Sequence, residues 1–281
     1  MTRTPPICVR RCLRGEVGFG CPVEGCGSPY LTYHHFDPPW HVKQDHNPEG
    51  IIALCLAHHC QADQGTFTSD QLRQMKRTPY LKQLKEPPRG YFNWKRELLL
   101  SRVGRMWGIE CDVPLTIAGE KVIWISKTEE GYSKLNLEIR DSNGNQLFSM
   151  RDNDWLFYAP VNDIYCKPSG IALEFKEKIE GISMRISFQH VERQQLRQQL
   201  HDWLHLSSEP DPIFEKFFDV VWDKVQERIG DRSIALVDLE ARLVWPYEVV
   251  IDKTGMTSNG RAIGVVSGYQ IGVGGVTLQL G

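Results

Sequence analysis

Cysteine and histidine side chains are concentrated in the first sixty residues of this 281-residue chain, which hold six of its eight cysteines and six of its nine histidines. Two pairs have the x4 and x2 spacing of metal ligands and lie about thirty residues apart, as in a tetrahedral structural zinc site. The predicted ligands of this Zn²⁺ are Cys21, Cys26, Cys55 and His58. Three further cysteines leave the identity of individual ligands open: Cys8, Cys12 and Cys60.

A second group of side chains offers a different metal chemistry. His34 and His35 are adjacent, and on a strand they would point to opposite sides, so that one can hold a metal while the other faces a water molecule. If His59 begins a helix, Asp63 four residues later shares its face and can approach the same ion. Histidine, histidine and carboxylate leave coordination positions open for phosphate oxygens, which is a nuclease arrangement.

Taken together, these residues resemble the HNH endonuclease family over roughly residues 12–85. The matching pattern is Cys21…Cys26…His34-His35-x-x-Pro38…Asn47-Pro-Glu-Gly-Ile-Ile-Ala-Leu-Cys55-x-x-His58-His59. The resemblance implies a zinc-stapled ββα-metal fold, in which a β-hairpin and a helix surround one catalytic cation. It further implies that His34 and His59 bind this cation, for which Mg²⁺ or Mn²⁺ is expected, and that His35 is the general base for hydrolysis of DNA. Asp63 is a third candidate ligand on its helical spacing alone.

Two positions depart from the family pattern. The middle asparagine of the family falls on Gly50 here, so Asn47, three residues earlier, becomes the candidate to orient His35. His58 stands where the family usually has a cysteine, which leaves His58 and His59 open to an exchange of roles between the two metals.

A basic helix is predicted after Thr66. Thr68 and Gln71 stand at capping-box spacing, and Arg73, Lys76 and Arg77 follow on the exposed face. These charges either contact DNA phosphates or form an ordinary solvated face. Residues 1–100 carry 13 Lys and Arg against 9 Asp and Glu, whereas the remainder carries 20 against 26, which favours a polyanionic partner for the first part.

The pattern along the chain predicts an α+β protein with a boundary near Pro87–Gly90. The HNH domain would span residues 1–90, with no long helical period before Thr66, and a β-rich domain would span 91–281. Period-two alternation predicts an antiparallel sandwich. Within the β-rich domain we predict strands over 112–190, two helices over 191–229 and Gly-rich strands over 234–281.

Composition excludes a disordered or membrane-spanning chain: hydrophobic residues make up 41%, charged residues 24%, and mean hydropathy is −0.37. No apolar run approaches the roughly 18–20 residues of a membrane span. The first residues lack the apolar segment of a secretory signal, so a reducing cytoplasmic location is expected, where clustered cysteines bind metals. Cys111 and Cys166, in apolar surroundings, are predicted to be buried thiols.

Three functional hypotheses remain. The first is a metal-dependent DNA endonuclease. The second is a zinc-stapled nucleic-acid-binding module without catalysis, which would not need His34, His35 and His59 together. The third makes the nuclease a regulated effector of the kind found in bacterial anti-phage defence, with residues 91–281 as sensor, homo-oligomerisation surface or dock for a regulatory protein or ligand.

Overall fold

The fold is a mixed α+β arrangement dominated by strands. A computed structural model describes residues 2–104, 106–109, 111–177, 180–203, 211–229, 234–253, 255–258, 271–273 and 279–280. The helices are α1 (Ile7–Glu16), α2 (Leu56–Asp63), α3 (Ser69–Arg77), α4 (Tyr80–Leu84), α5 (Arg193–Trp203) and α6 (Pro212–Ile229). Among the described residues, no helix is both long and apolar enough to cross a membrane.

The strands are numbered in chain order. They are β1 (Leu31–His35), β2 (Ile51–Cys55), β3 (Arg89–Tyr91), β4 (Leu98–Val103), β5 (Met106–Ile109), β6 (Leu115–Ile117), β7 (Glu120–Lys127), β8 (Ser133–Arg140), β9 (Gln146–Arg151), β10 (Asp154–Phe157), β11 (Val161–Cys166), β12 (Ala172–Glu177), β13 (Ser183–Val191), β14 (Ile234–Leu243), β15 (Val249–Asp252), β16 (Gly255–Ser258), β17 (Ile271–Val273) and β18 (Gln279–Leu280).

The chain divides into two compact units. The first comprises residues 1–93, 138–185 and 242–245, and the second comprises 94–137, 186–241 and 246–281. The predicted division into a nuclease domain over residues 1–90 and a β-rich domain over 91–281 stays a prediction.

The N-terminal part of the first unit is built on a short hairpin. Strands β1 and β2 pair antiparallel, with Leu31 opposite Cys55 and His35 opposite Ile51. All five residues of β2 are buried, as expected for an apolar run sandwiched between layers. Helix α2 begins directly after β2 at Leu56, so the chain turns from strand to helix without a loop.

Helix α1 was not predicted, because the sequence shows no long helical period before Thr66. Its apolar stripe is short, with Leu13 fully buried and Val9 packed against the same core, and three of its ten residues are arginines. Arg14 is itself buried: its guanidinium donates to both carboxylate oxygens of Asp163 at 2.9 and 2.6 Å and to the Tyr33 hydroxyl at 2.7 Å. A bidentate ion pair between distant residues, rather than an amphipathic repeat, therefore anchors this helix.

The predicted capping box is confirmed. The Thr68 hydroxyl accepts from the Gln71 backbone N–H at 3.2 Å, and the Gln71 side chain accepts from the Thr68 N–H at 2.8 Å. Asp211 caps α6 through the backbone N–H groups of Ile213 and Phe214, at 2.8 and 3.1 Å. Residues 141–145 form a turn between β8 and β9.

In the second unit, two helices cover a sheet. Residues Leu196 and Leu200 of α5 and Phe214 and Phe218 of α6 share one buried core with Leu236 of β14. These helices fall in the predicted range. The described part of the Gly-rich end contains β17 and β18, and residues 259–270 and 274–278 lie outside the described residues.

The predicted antiparallel pairing is confirmed for β7 with β8, β9 with β10 and β11 with β12. Parallel pairs, which were not predicted, are also present. Strand β14 pairs parallel with β4, β17 pairs parallel with β5, and β18 pairs parallel with β6. Strands β3, β4 and β5 also begin before the predicted range of 112–190. Parallel pairing joins strands that are distant in sequence, so neither local alternation nor turn residues reveal it.

Gly50 stands where the chain approaches itself most closely near the hairpin. Its carbonyl accepts from the backbone N–H groups of Phe36 and Asp37, at 2.9 and 3.2 Å. A Cβ atom added at Gly50 would lie 1.8 Å from the Asp37 carbonyl oxygen, far inside van der Waals contact. Any side chain at this position, including the asparagine of the family, would require the Asp37 backbone to move.

We expect Gly50→Ala to lower the free energy of unfolding by at least about 2 kcal/mol, because the new methyl group must displace backbone atoms. Gly15→Ala is the matched control: Gly15 lies in α1 with no atom within 4 Å of the added Cβ, and it should be neutral or stabilising by up to about 1 kcal/mol. Urea midpoints of the zinc-loaded proteins measure both effects. Equal midpoints for Gly50→Ala and wild type would contradict the steric argument.

Candidate metal centres

Three thiols and one imidazole meet at the junction of the hairpin and α2. The ligand atoms of Cys21, Cys26, Cys55 and His58 all lie within 4.8 Å of one another. The Cys26 and Cys55 sulfurs are 3.8 Å apart, which is the edge of about 3.8 Å expected for a tetrahedron with Zn–S bonds near 2.3 Å. His58 Nδ1 lies 3.3 Å from the Cys21 sulfur and 3.2 Å from that of Cys55. This Cys₃His cluster is compatible with a zinc site.

The backbone brings each pair of ligands together locally. Cys21 and Cys26 flank a tight turn, in which the Cys21 carbonyl accepts from the Gly27 N–H at 3.2 Å and the Cys26 N–H bonds to Val23 at 3.1 Å. Cys55 ends β2 and is also the N-cap residue of α2, so His58 stands in the first helical turn. The strand-to-helix transition thus places thiol and imidazole on the same side of the chain.

Burial raises the pKa of the Cys21 thiol and, to a smaller extent, that of Cys26. The thiolate forms that bind zinc are therefore unfavourable in this cluster unless a cation compensates their charge. The N-terminus of α2, at Cys55, contributes favourable partial positive charge at one side of the cluster. The four donors are thus chemically suited to a bound metal ion.

A second cluster lies between β1 and α2, on a different side of the helix from the Cys₃His cluster. His34, His59 and Asp63 each bring a ligand atom within 4.8 Å of the others. His34 Nδ1 is 3.0 Å from Asp63 Oδ1, His59 Nε2 is 3.6 Å from Asp63 Oδ2, and the two rings meet edge to face at 5.2 Å. Among the described residues, neither of these buried nitrogens has a hydrogen-bond partner of acceptable geometry, and both face the Asp63 carboxylate that would share an ion with them.

Thr32 fixes the tautomer of His59. Its hydroxyl donates to the Leu54 carbonyl at 3.0 Å and lies 2.7 Å from His59 Nδ1, so the hydroxyl oxygen must accept from that nitrogen. His59 therefore carries its proton on Nδ1 and presents the Nε2 lone pair to Asp63 and His34. Sequence analysis missed Thr32, although it stands two residues before His34 and so shares its face of β1.

Electrostatics keep these imidazoles neutral. Burial lowers the pKa of His34, and nearby His59 lowers it further while Asp63 opposes the shift. The pKa of His59 is also lowered by burial. Arg3 lies 3.6 Å from Asp63 with 57% of its side chain exposed, which brings a guanidinium to the edge of the cluster. Neutral imidazole is the form that binds a metal ion.

His35 occupies the opposite side of β1 from His34, as strand alternation predicts. Its ring lies 4.9 Å from that of Trp40 and 5.5 Å from that of His46. Nδ1 of His35 is buried without a hydrogen-bond partner among the described residues. Burial, with smaller contributions from His46, Arg3 and the other nearby histidines, lowers the pKa of His35 to about 4, so the ring is neutral near pH 7.

The remaining candidates occupy other positions. The side-chain oxygen of Asn47 accepts from the Glu49 N–H at 3.2 Å and caps the short turn before β2, so this oxygen is engaged away from His35. Cys8, Cys12 and Cys60 are exposed and lie outside the Cys₃His cluster, whereas Cys111 and Cys166 are buried as predicted. The structure thus separates His58 and His59 into two clusters, and the orienting role of Asn47 stays a prediction.

The basic residues of α3 line one cavity of about 420 Å³. Lys76 bonds to the carbonyls of Pro48 and Ile51, both at 2.6 Å, and pairs with Glu16 at 2.8 Å. Arg73 pairs with Asp37 and Asp70, while Arg77 is exposed. Since carboxylates already neutralise two of the three charges, phosphate binding by this helix stays a prediction.

Comparison with known proteins gives no further assignment: the chain matches no protein-family model, no curated protein and no solved structure. Its chemistry is therefore inferred from the geometry of its own residues.

We expect Cys55→Ser to lower the bound zinc and the yield of folded protein, because the hydroxyl is a poor zinc ligand and three ligands remain. Cys60→Ser changes an exposed thiol on the same helix and should leave zinc content unchanged. Metal analysis of both purified variants, with thermal unfolding before and after chelator, provides the measurement. A Cys55→Ser protein with a full equivalent of zinc would refute the assignment.

Thr32→Val should weaken divalent-cation binding at His34, His59 and Asp63 about 10- to 100-fold, because it removes the acceptor that fixes the His59 tautomer. Thr32→Ser keeps the hydroxyl and is expected to retain the wild-type affinity. Calorimetric titration with Mn²⁺ of the zinc-loaded proteins compares the two. If valine and serine bind equally well, the hydroxyl has no such role.

Proposed function

We propose that this protein is a metal-dependent endonuclease of the HNH type that hydrolyses DNA phosphodiester bonds. The observation that carries the proposal is the division of three imidazoles, each with a buried ring nitrogen, across β1 and α2. His34 and His59 turn unpartnered nitrogens toward Asp63, and His35, on the other side of the strand, keeps a further unpartnered nitrogen. A structural zinc protein without hydrolytic chemistry has no need for these groups.

Each residue then has a distinct role. His35 Nδ1 carries a lone pair that can accept a proton from the attacking water, because burial holds the ring neutral near pH 7. His34, His59 and Asp63 would hold a divalent cation, for which Mg²⁺ or Mn²⁺ is proposed. When bound, the cation supplies positive charge to the scissile phosphate and its leaving oxygen.

Arg3 supports the same substrate class. Its half-exposed guanidinium stands beside Asp63, where it can contact a phosphate oxygen that reaches the cluster. In contrast to Lys76 in α3, Arg3 shares a carboxylate with the proposed cation and is accessible from solvent. The proposed substrate is therefore a nucleic-acid phosphodiester, with DNA preferred on the family resemblance.

The alternative is a zinc-stapled nucleic-acid-binding module that does not cut. This alternative predicts that the protein binds DNA without hydrolysing it. Substitution of His34, His59 or Asp63 would then change no activity. The regulatory, oligomerisation and defence roles predicted for residues 91–281 stay predictions, since they depend on partners of the intact chain.

Plasmid cleavage in Mg²⁺ or Mn²⁺ tests the proposal. Wild type should nick or linearise the plasmid, and His35→Ala should reduce the rate by about 10²- to 10⁴-fold, the usual contribution of a general base. Zinc content and the fold should be retained, since His35 is outside the Cys₃His cluster. His41→Ala, an exposed histidine in the following loop, is the matched control and should cut like wild type.

Equal cutting by wild type and His35→Ala would remove His35 as the base. Binding of the plasmid by wild type without cleavage in either metal would favour the non-catalytic module.

A further inference from the structure

His46 lies between His35, the proposed base, and the backbone carbonyl of Thr2. Its Nε2 lies 3.1 Å from the Thr2 carbonyl oxygen, and its Nδ1 lies 3.3 Å from His35 Nε2. A carbonyl oxygen only accepts hydrogen bonds, so His46 Nε2 carries the proton of this contact. In the neutral ring the other nitrogen, Nδ1, is then an acceptor.

The direction of the hydrogen bond between His46 and His35 determines the tautomer of His35. Since His46 Nδ1 accepts, His35 must donate from Nε2, and its remaining lone pair is on Nδ1. That is the nitrogen which is buried without a partner. The Thr2 carbonyl therefore dictates, through one intervening ring, which nitrogen of His35 can take a proton.

Trp40 holds the two rings in place. It stacks on His46 with the planes 25° apart and the centroids 5.0 Å apart, and it meets the His35 ring at 4.9 Å with a tilt of 58°. Such packing limits rotation of both imidazoles. His46 is thus restrained by a hydrogen bond at one end and by an aromatic face along its side.

Of the two positions that the sequence offered for this role, one lacks a side chain and the other has its side-chain oxygen in a different hydrogen bond. Gly50 has no side chain, and the Asp37 backbone leaves no room for one. The Asn47 side-chain oxygen is engaged by the Glu49 N–H. Among the described residues, His46 is the side chain that comes within hydrogen-bond range of His35.

We infer that His46 is a positioning residue for the general base, which it holds in the Nε2–H tautomer with the Nδ1 lone pair free. This inference rests on the proposed nuclease function for its catalytic consequence, but the tautomer itself is a property of the protein without substrate. The proton on His35 Nε2 stays with that ring, and the proton taken from water goes to Nδ1.

Two substitutions of His46 separate the effect of its hydrogen-bond acceptor from the effect of its stacked ring. His46→Asn places an amide oxygen at the position of Nδ1 but removes the stacking ring, whereas His46→Phe keeps a ring against Trp40 but has no acceptor. We expect His46→Phe to lower kcat by at least about tenfold with KM unchanged, a part of the general-base contribution. His46→Asn should recover most of the loss. The opposite order would show that the ring only fills space.

The double variant tests whether His46 acts through His35. In a His35→Ala background, His46→Phe should cause no further loss of kcat, because the group that it positions is gone. Additive losses would overturn the inference and leave the proposed function intact. Failure of His35→Ala to lower kcat would instead contradict the proposed function.

Long-range ¹H–¹⁵N correlation spectra of histidine-labelled protein provide a readout that needs no activity. His35 signals, assigned by their absence in His35→Ala, should show Nε2–H in wild type and in His46→Asn, and a mixture of tautomers in His46→Phe. A wild-type His35 protonated on Nδ1 or present as a mixture would overturn the inference even if the enzyme cuts DNA.

Discussion

The transition from β2 to α2 at Cys55 is the constraint on which both metal clusters depend. Cys55 is the last residue of a fully buried strand and the N-cap residue of the following helix, and its sulfur faces Cys26 and His58. A metal ion on these ligands would fix the rotation of α2 about its axis. Since successive residues of a helix point about 100° apart, holding His58 on the inner side directs His59 to a different side, toward β1.

Strand alternation in β1 then separates the functions. Thr32 and His34 face α2, where one hydroxyl orients His59 and one ring joins the second cluster. Tyr33 and His35 face the other way, toward Arg14 and His46 respectively. A strand of five residues thus carries a ligand and the residue that orients another ligand on one face, and the proposed base on the other. One residue of slippage in the hairpin register would exchange these faces.

The sequence was sufficient where the determining contacts are local. Cys55 and His58, or His59 and Asp63, are related by helical spacing alone, and the capping box at Thr68 depends on a neighbour three residues away. His46 could not be predicted in the same way, because its role depends on the Thr2 carbonyl, 44 residues distant, and on the path of an irregular loop. Helix α1 and the parallel pairing of β4 with β14 were missed for the same reason. Each is specified by a partner that lies far along the chain.

The candidate site also combines features that oppose folding in the absence of ligands. Buried polar atoms without partners each cost about 1–3 kcal/mol, and His34 Nδ1, His35 Nδ1 and His59 Nε2 are three such atoms. In the neighbouring Cys₃His cluster, burial disfavours the charged forms of Cys21 and Cys26 by raising the pKa of each thiol. Cations at the two clusters would satisfy the thiolates and two of the three nitrogens. The third nitrogen, on His35, is not turned toward either cluster, so its lone pair is left for a solvent molecule or a substrate. A buried acceptor that the fold leaves unsatisfied after both metals are bound is what a general base requires, and the contact with His46 determines which atom of His35 that acceptor is.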